Sequence, residues 1–310
     1  MQLNTLQVPR LVQIHVHKWK PTTVSEMKLF LGVSMLMGVI HKPHIEMYRS
    51  QSTLFATPAF RGLMTRNRYC LILKFLHFSN NDCKSSEDYD RLFKIRDVYD
   101  LITSIFSTAY IPGREVCIDE GMVRWFGRGF HTYLPSKRAK YGTKAYKLRE
   151  DSGYTYHFQL YTGQSSNLQC LVFDMMEGLL NEGRDLYMDN YYNSPNLVKM
   201  LYDQQTHVVG TLRMNRQGVP KELTKLKLKS GEVRYRTADP ITILVWHDKR
   251  YVNVITTLHD ASTQVVPGKT HRTTGEPLCK PTAVLDNNKH MGSLTSQTRW
   301  FSSVVQCAKL

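Results

Sequence analysis

The chain has 310 residues, 42% of them apolar, enough to bury a sizeable core as one large domain with an insertion or as two domains. Lys and Arg number 41 against 26 Asp and Glu, a formal charge of +15. That excess points to a polyanionic partner, because cations displace the counterions condensed on phosphates. Cys70, Cys83, Cys117, Cys170, Cys279 and Cys307 are scattered without a Cys-x-x-Cys pair. No zinc ribbon is expected within these residues, and a reducing compartment suits them. No apolar stretch followed by a small-residue cleavage site marks a signal peptide.

Residues 1–20 are poorly patterned. Thr23-Val24-Ser25-Glu26 has the spacing of a capping box and precedes an apolar run, which predicts a helix that Pro43 ends. The run Leu29 to Ile40, at about 12 residues, is short of the ~20 that span a bilayer, so it reads as a core helix and no membrane partner is expected. Further helices are predicted over 65–78 and 92–109, with a polar loop at 79–91 between them. The first 110 residues are therefore expected to be mostly helical.

The pattern then changes. Val116-Cys117-Ile118 is a short apolar strand running into Asp119. Lys144 to Arg149 and Tyr154 to Tyr161 read as strands joined by a turn at Asp151-Ser152-Gly153. A helix is predicted over 168–180, then a strand at Leu186-Tyr187-Met188 ending at Asp189. Ser194-Pro195 is a good N-cap and N1 pair for a helix to about Gln205. Val208 to Leu212 is a further strand. This order describes a mixed α/β sheet. Residues 213–280 form a β-rich insertion, with strands at Glu232–Arg236, Ile241–Trp246 and Tyr251–Thr257 and a loop over 261–280. The tail beyond 281 is short. The division expected is 1–110, 111–212, 213–280 and 281–310.

Asp119 and Asp189 each close a short apolar strand, and ligands in open α/β sheets gather outside the carboxyl ends of strands. Side by side, the two carboxylates would repel unless a cation lay between them. Mg²⁺ suits such a place, with water and phosphate completing its shell. Two such ions would stabilise the attacking and leaving oxygens of a phosphodiester displacement. The competing reading is that strand-end Asp residues are turn formers or helix caps.

The segment from Arg124 to Arg149 contains no Asp or Glu. It carries Arg124, Arg128, Lys137, Arg138, Lys140, Lys144, Lys147 and Arg149, interleaved with Trp125, Phe126, Phe130, Tyr133, Tyr141 and Tyr146. Cations hold phosphates and aromatics stack on bases or pack beneath the loop, so DNA contact is expected here. His131, His157, His207, His247, His259 and His290 lack metal spacing and read as structural. No Gly-rich phosphate loop or Ser/His/Asp arrangement points to a small-molecule substrate.

At these residues the chain resembles the piggyBac transposase family. Ile118-Asp119-Glu120-Gly121-Met122 is similar to the block around that family's first catalytic Asp. Gly127-Arg128, Tyr133-Leu134-Pro135-Ser136-Lys137 and Lys140-Tyr141-Gly142-Thr143-Lys144 are similar to the basic block that follows. Met188-Asp189-Asn190-Tyr191-Tyr192-Asn193-Ser194 resembles the second-Asp block, and Val209 to Arg216 the strand entering the family's β-rich insertion. The likeness runs from about residue 22 to 292. It implies an RNase H-like core and Mg²⁺-dependent cleavage and strand transfer at TTAA sites; DNA as partner and a nuclear location are expected with it, and a homodimer formed through the insertion stays open. Asp119 and Asp189 would be catalytic acids and metal ligands.

The family's third Asp follows a Tyr-Asn-Lys-His-Met-Gly-Gly-Val block. Here Asp286 to Met291 and Gly292-Ser293-Leu294 lead to Thr295 at that place, and no acid follows before Leu310. The family's cysteine-rich zinc module is not found within these residues. A DNA-binding protein with impaired cleavage is the expectation. Two alternatives stay open: an active transposase whose third acid is Asp286 or lies in a longer form, and a truncated remnant or dimerising scaffold.

Overall fold

The computed structural model describes residues 19–80, 82, 90–123, 132–133, 141–163, 167–270, 275 and 277–292. They fall into two compact units. One holds the described residues up to Tyr99 and the short pairing near Thr132; the other runs from Asp100 to Met122 and from Thr143 onward.

The first unit is helical. In α1 (Val24–Val39) the Thr23 hydroxyl accepts from the Glu26 amide at 3.2 Å, the cap that the sequence predicts. Phe30, Val33 and Met37, spaced for one helix face, pack against Tyr69 and Ile72 of α3 (Arg66–Phe75) and Phe60 of α2 (Pro58–Leu63). Glu26 also takes a two-pronged bond from Arg68, 2.6 and 2.5 Å, tying the start of α1 to α3. A fourth helix, α4, spans Arg96–Ala109, and from Asp100 onward it belongs to the second unit.

The second unit is built on one large mixed sheet. Its strands are β1 (Glu115–Val123), β3 (Tyr141–Glu150), β4 (Thr155–Leu160), β5 (Asp185–Met188), β6 (His207–Thr211), β7 (Val233–Ala238), β8 (Ile241–His247) and β9 (Tyr251–Thr256), in the order β4-β3-β1-β5-β6-β9-β8-β7. The short β2 (Thr132–Tyr133) pairs with the first residues of β3. β3 and β4 form an antiparallel hairpin, and β5 and β6 add to β1 in parallel. The order β4-β3-β1-β5-β6 is the RNase H-like core that the resemblance implied. β7 to β9 continue that sheet as an antiparallel meander joined to β6.

Strand alternation decides the packing. Val116, Ile118, Tyr146, Leu148, Leu186, Met188 and Val208 enter one face. They meet Leu171, Val172 and Met175 of α5 (Leu168–Met175) and Leu197, Val198 and Leu201 of α6 (Pro195–Asp203). Ser194 caps α6, accepting from the Leu197 amide at 3.3 Å. Cys117, Tyr187 and Val209 enter the other face, with Leu258 and Met291.

Two expectations need correction. Residues 261–280 are not a loop: β10 (Thr263–Thr270) and β11 (Pro277–Pro281) pair antiparallel. Pro267 and Gly268 inside β10 and a register shift between Val265 and Thr270 erase the alternation that would mark a strand. Beyond the short α7 (Lys221–Thr224) and these two strands, residues 282–292 form a helix, α8. Finally, β1 does not stop at Asp119. Its pairing with β5 ends at Ile118 and Met188, yet β3 remains beside it and the strand continues to Val123.

Candidate active site

The parallel register pairs Glu115 with Asp185, Val116 with Leu186, Cys117 with Tyr187 and Ile118 with Met188. Asp119 and Asp189 are the next residues on these neighbouring strands, and both are half-buried. The structure therefore brings the two acids to one place at the carboxyl end of the parallel pair.

The loop after Asp189 is tightly held. Asp189 Oδ1 accepts from the Tyr191 amide at 2.8 Å, so the carboxylate also forms the turn. Asn193 is fully buried, and its Nδ2 donates to Met188 O (3.0 Å) and Thr211 O (2.9 Å), locking the loop to the end of β6. Gly210 makes the room: a Cβ there would stand 2.1 Å from Met188 O and 2.3 Å from Asn193 Nδ2. Arg216 Nη2 donates to Tyr191 O at 2.6 Å and Arg213 Nε to Asn190 Oδ1 at 3.2 Å. Asn193 and Gly210 were visible as letters in the family blocks, but nothing in their spacing revealed this lock.

On β3 the alternation that sends Tyr146 and Leu148 into the core sends Lys147 and Arg149 to the opposite face. Both are buried, each 4% exposed. They belong to the acid-free segment read as phosphate-facing, and the structure corrects that reading for these two. Burial, with Arg149 beside it, brings the Lys147 ammonium down to about 8 although Asp119 opposes the shift. Burial lowers Arg149 as well, against Asp119 and Cys117. The Cys117 thiol is pushed up to about 12 by burial and by Asp151 and Asp119.

α8 lies over this face. Asp286 Oδ2 accepts from Tyr187 Oη and from His259 Nε2, both at 2.8 Å. His290 stacks on Tyr187 with centroids 4.3 Å apart. Its Nε2 is 3.3 Å from Asp286 Oδ1 and its Nδ1 2.6 Å from Asp151 Oδ2. Cys117 Sγ donates to His290 O at 3.6 Å. Burial works against the charged form of Asp286, but the bonds from His259 and Tyr187 and the neighbouring imidazoles hold its carboxyl below the ordinary range. His259 and His290, which lack metal spacing in the sequence, are both placed against Asp286.

Of the basic segment, Lys144 is described. Its ammonium sits 4.6 Å from the Tyr146 ring centroid and 4.3 Å from that of Tyr191, a cation held by two aromatics beside the Asp189 loop. Arg124, Arg128, Lys137, Arg138, Lys140 and Thr295 lie outside the described residues.

Among the described residues no three of His, Cys, Asp and Glu converge to hold an ion, so these donors alone do not make up a two-metal centre. Asp286 is engaged by His259 and Tyr187, and the charge of Asp119 acts on the buried Lys147 and Arg149.

The RNase H-like sheet, with Asp119 and Asp189 just past the last parallel pair of β1 and β5, has the architecture of the transposase class. The family described as Transposase IS4 matches residues 2–307, and the chain belongs to it, within the piggyBac-type transposases. Human PiggyBac transposable element-derived protein 2 is 27% identical over 251 residues, covering 75% of this chain and 42% of that protein. Human PiggyBac transposable element-derived protein 3 is 26% identical over 249 residues with the same coverage. The chain thus spans less than half the length of these relatives. Among solved structures, the cryo-EM structure of a piggyBac transposase synaptic complex with hairpin DNA superposes with a TM-score of 0.76 at 21% identity. That match covers 89% of this chain and 59% of the other.

Proposed function

We propose that this chain is a transposase-derived, nuclear DNA-binding protein that grips DNA through its basic segment and does not carry out Mg²⁺-dependent cleavage. The observation that carries the reading is the make-up of the Asp119 site. Two carboxylates stand just past the last parallel pair of β1 and β5, but the charge of Asp119 already acts on two buried cations and the Asp on α8 is bound to His259 and Tyr187. A phosphodiester displacement assisted by two ions needs a donor set rich in carboxylate. Thr295, at the place of the family's third acid, offers a hydroxyl instead.

The charge of +15 and the acid-free run from Arg124 to Arg149 support DNA as the partner, and the structurally similar transposase was solved with hairpin DNA. Arg124, Arg128, Lys137, Arg138, Lys140 and Lys144 would neutralise backbone phosphates, and Asp119 and Asp189 mark the ancestral catalytic centre. Fluorescence anisotropy on duplex DNA tests this. Affinity is expected to fall steeply with salt, and reversing Arg124, Arg128 and Lys140 to Glu to weaken binding at least about tenfold. Nicking of a TTAA-flanked duplex by the purified chain in Mg²⁺, lost in Asp119→Asn, would show that cleavage survives.

A further inference from the structure

Two long cations buried side by side on a sheet face need a counter-charge, because an uncompensated buried ion is strongly destabilising. Asp119 lies on the same face of β1 as Gly121, against which Lys147 packs, and its charge favours the charged form of both cations. The neighbourhood is shaped for this. Lys147 lies against Gly121, two residues beyond Asp119 on the same face of β1, where a Cβ would stand 3.1 Å from both Cε and Nζ. The missing side chain makes the seat of the ammonium.

The other acids on this face are occupied elsewhere. Asp286 is bound to Tyr187 and His259, and Asp151 faces His290. Glu120 is directed by the alternation to the opposite face, where Tyr192 Oη lies 3.5 Å from Oε2. Counting Lys147 and Arg149 against Asp119 and Asp189 gives two positive and two negative charges, a local sum of zero before any ion enters.

We propose that Lys147 and Arg149 are the resident counter-ions of the Asp119 site, filling electrostatically the role of a divalent metal and excluding it. This deepens the reading of Asp119 and Asp189 as an ancestral acid pair and is independent of DNA binding. Arg149 cannot be neutralised, and at close range its repulsion of a doubly charged ion is not screened as it would be in water. The acid pair is then held together by the chain itself.

The test is Mn²⁺ binding to the whole chain without DNA, followed by EPR. The wild type is expected to show no Mn²⁺ site that Asp119→Asn removes. Lys147→Met/Arg149→Met is expected to gain one, at least about tenfold tighter than any wild-type binding, which Asp119→Asn added to that background abolishes. Wild-type Mn²⁺ binding lost in Asp119→Asn would overturn the proposal, and so would a folded double variant that gains nothing. A melting measurement on the single variant Asp119→Asn stands independently of whether the double variant folds. Resident counter-ions predict a fall of several degrees in Tm, on the order seen when a buried pair loses one member. A pair of acids awaiting a metal predicts an unchanged or higher Tm, through relief of repulsion, and that result would also sink the idea. Loss of DNA binding alone would leave this inference standing and remove only the proposed partner.

Discussion

Leu186 and Tyr187 are neighbours on β5 and both are buried, but they enter opposite faces of the sheet. Leu186 joins a continuous apolar core closed by α5 and α6. Tyr187 joins a face whose buried groups include Lys147, Arg149, Asn287 and His290, closed by α8. The first face is held by volume: removing atoms leaves a cavity. The second is held by pairing, since each buried polar group there stabilises the fold only while its partner is present. One strand thus serves two kinds of stability, and the acids at its end belong to the second kind.

Breaking the seam between the faces should have the largest effect. Gly210→Ala would press a methyl into Met188 O and Asn193 Nδ2, and neither the backbone carbonyl nor the buried amide has room to retreat. A loss of about 4 kcal/mol or more is expected, in the range reserved for severe steric conflict. Urea unfolding followed by circular dichroism reads it, and a midpoint close to wild type would disprove the lock. Next comes Leu186→Ala, with a cost of about 2–5 kcal/mol for a fully buried leucine. Tyr187→Phe keeps the ring and its stacking on His290 but deprives Asp286 of one donor, for about 1–3 kcal/mol. Equal losses for a volume change and a hydroxyl change would erase the distinction between the faces.

Much of the apolar face was legible in the sequence, because alternation and caps are local signals. Ser194-Pro195 announced α6, Thr23 announced α1, and the hairpin of β3 and β4 followed from its turn. The polar face was less legible. Alternation places Lys147 and Arg149 on the same side of β3, but no local pattern reveals whether that side meets solvent or another layer. The covering layer is α8, whose contacts join Asp286 and His290 to residues 99 and 173 positions away. Such pairings arise from topology and leave no periodic trace. The acids themselves sit between these cases. The place of Asp189 at the end of β5 was readable, whereas the continuation of β1 past Asp119 and the parallel register that sets the two acids side by side are properties of the assembled sheet.

The smallest effect expected is also the most specific to the polar face. Asp286 has its carboxyl held below the ordinary value of 3.8, against the opposing influence of burial, by His259, Tyr187 and the nearby imidazoles. A depressed folded value means that the folded state binds the proton less readily than the unfolded chain does. Its contribution is therefore present above about pH 4, and is lost as the pH falls below the unfolded value and through the lower folded one. Wild type and Asp286→Asn compared by urea titration between about pH 5 and pH 3, below the range in which imidazoles ordinarily titrate, isolate this contribution. The wild-type advantage should shrink as the pH falls through that window. An advantage that instead grew there would mean that Asp286 is protonated in the fold and donates to its neighbours, reversing the direction of the bonds by which α8 is fastened to Tyr187 and His259.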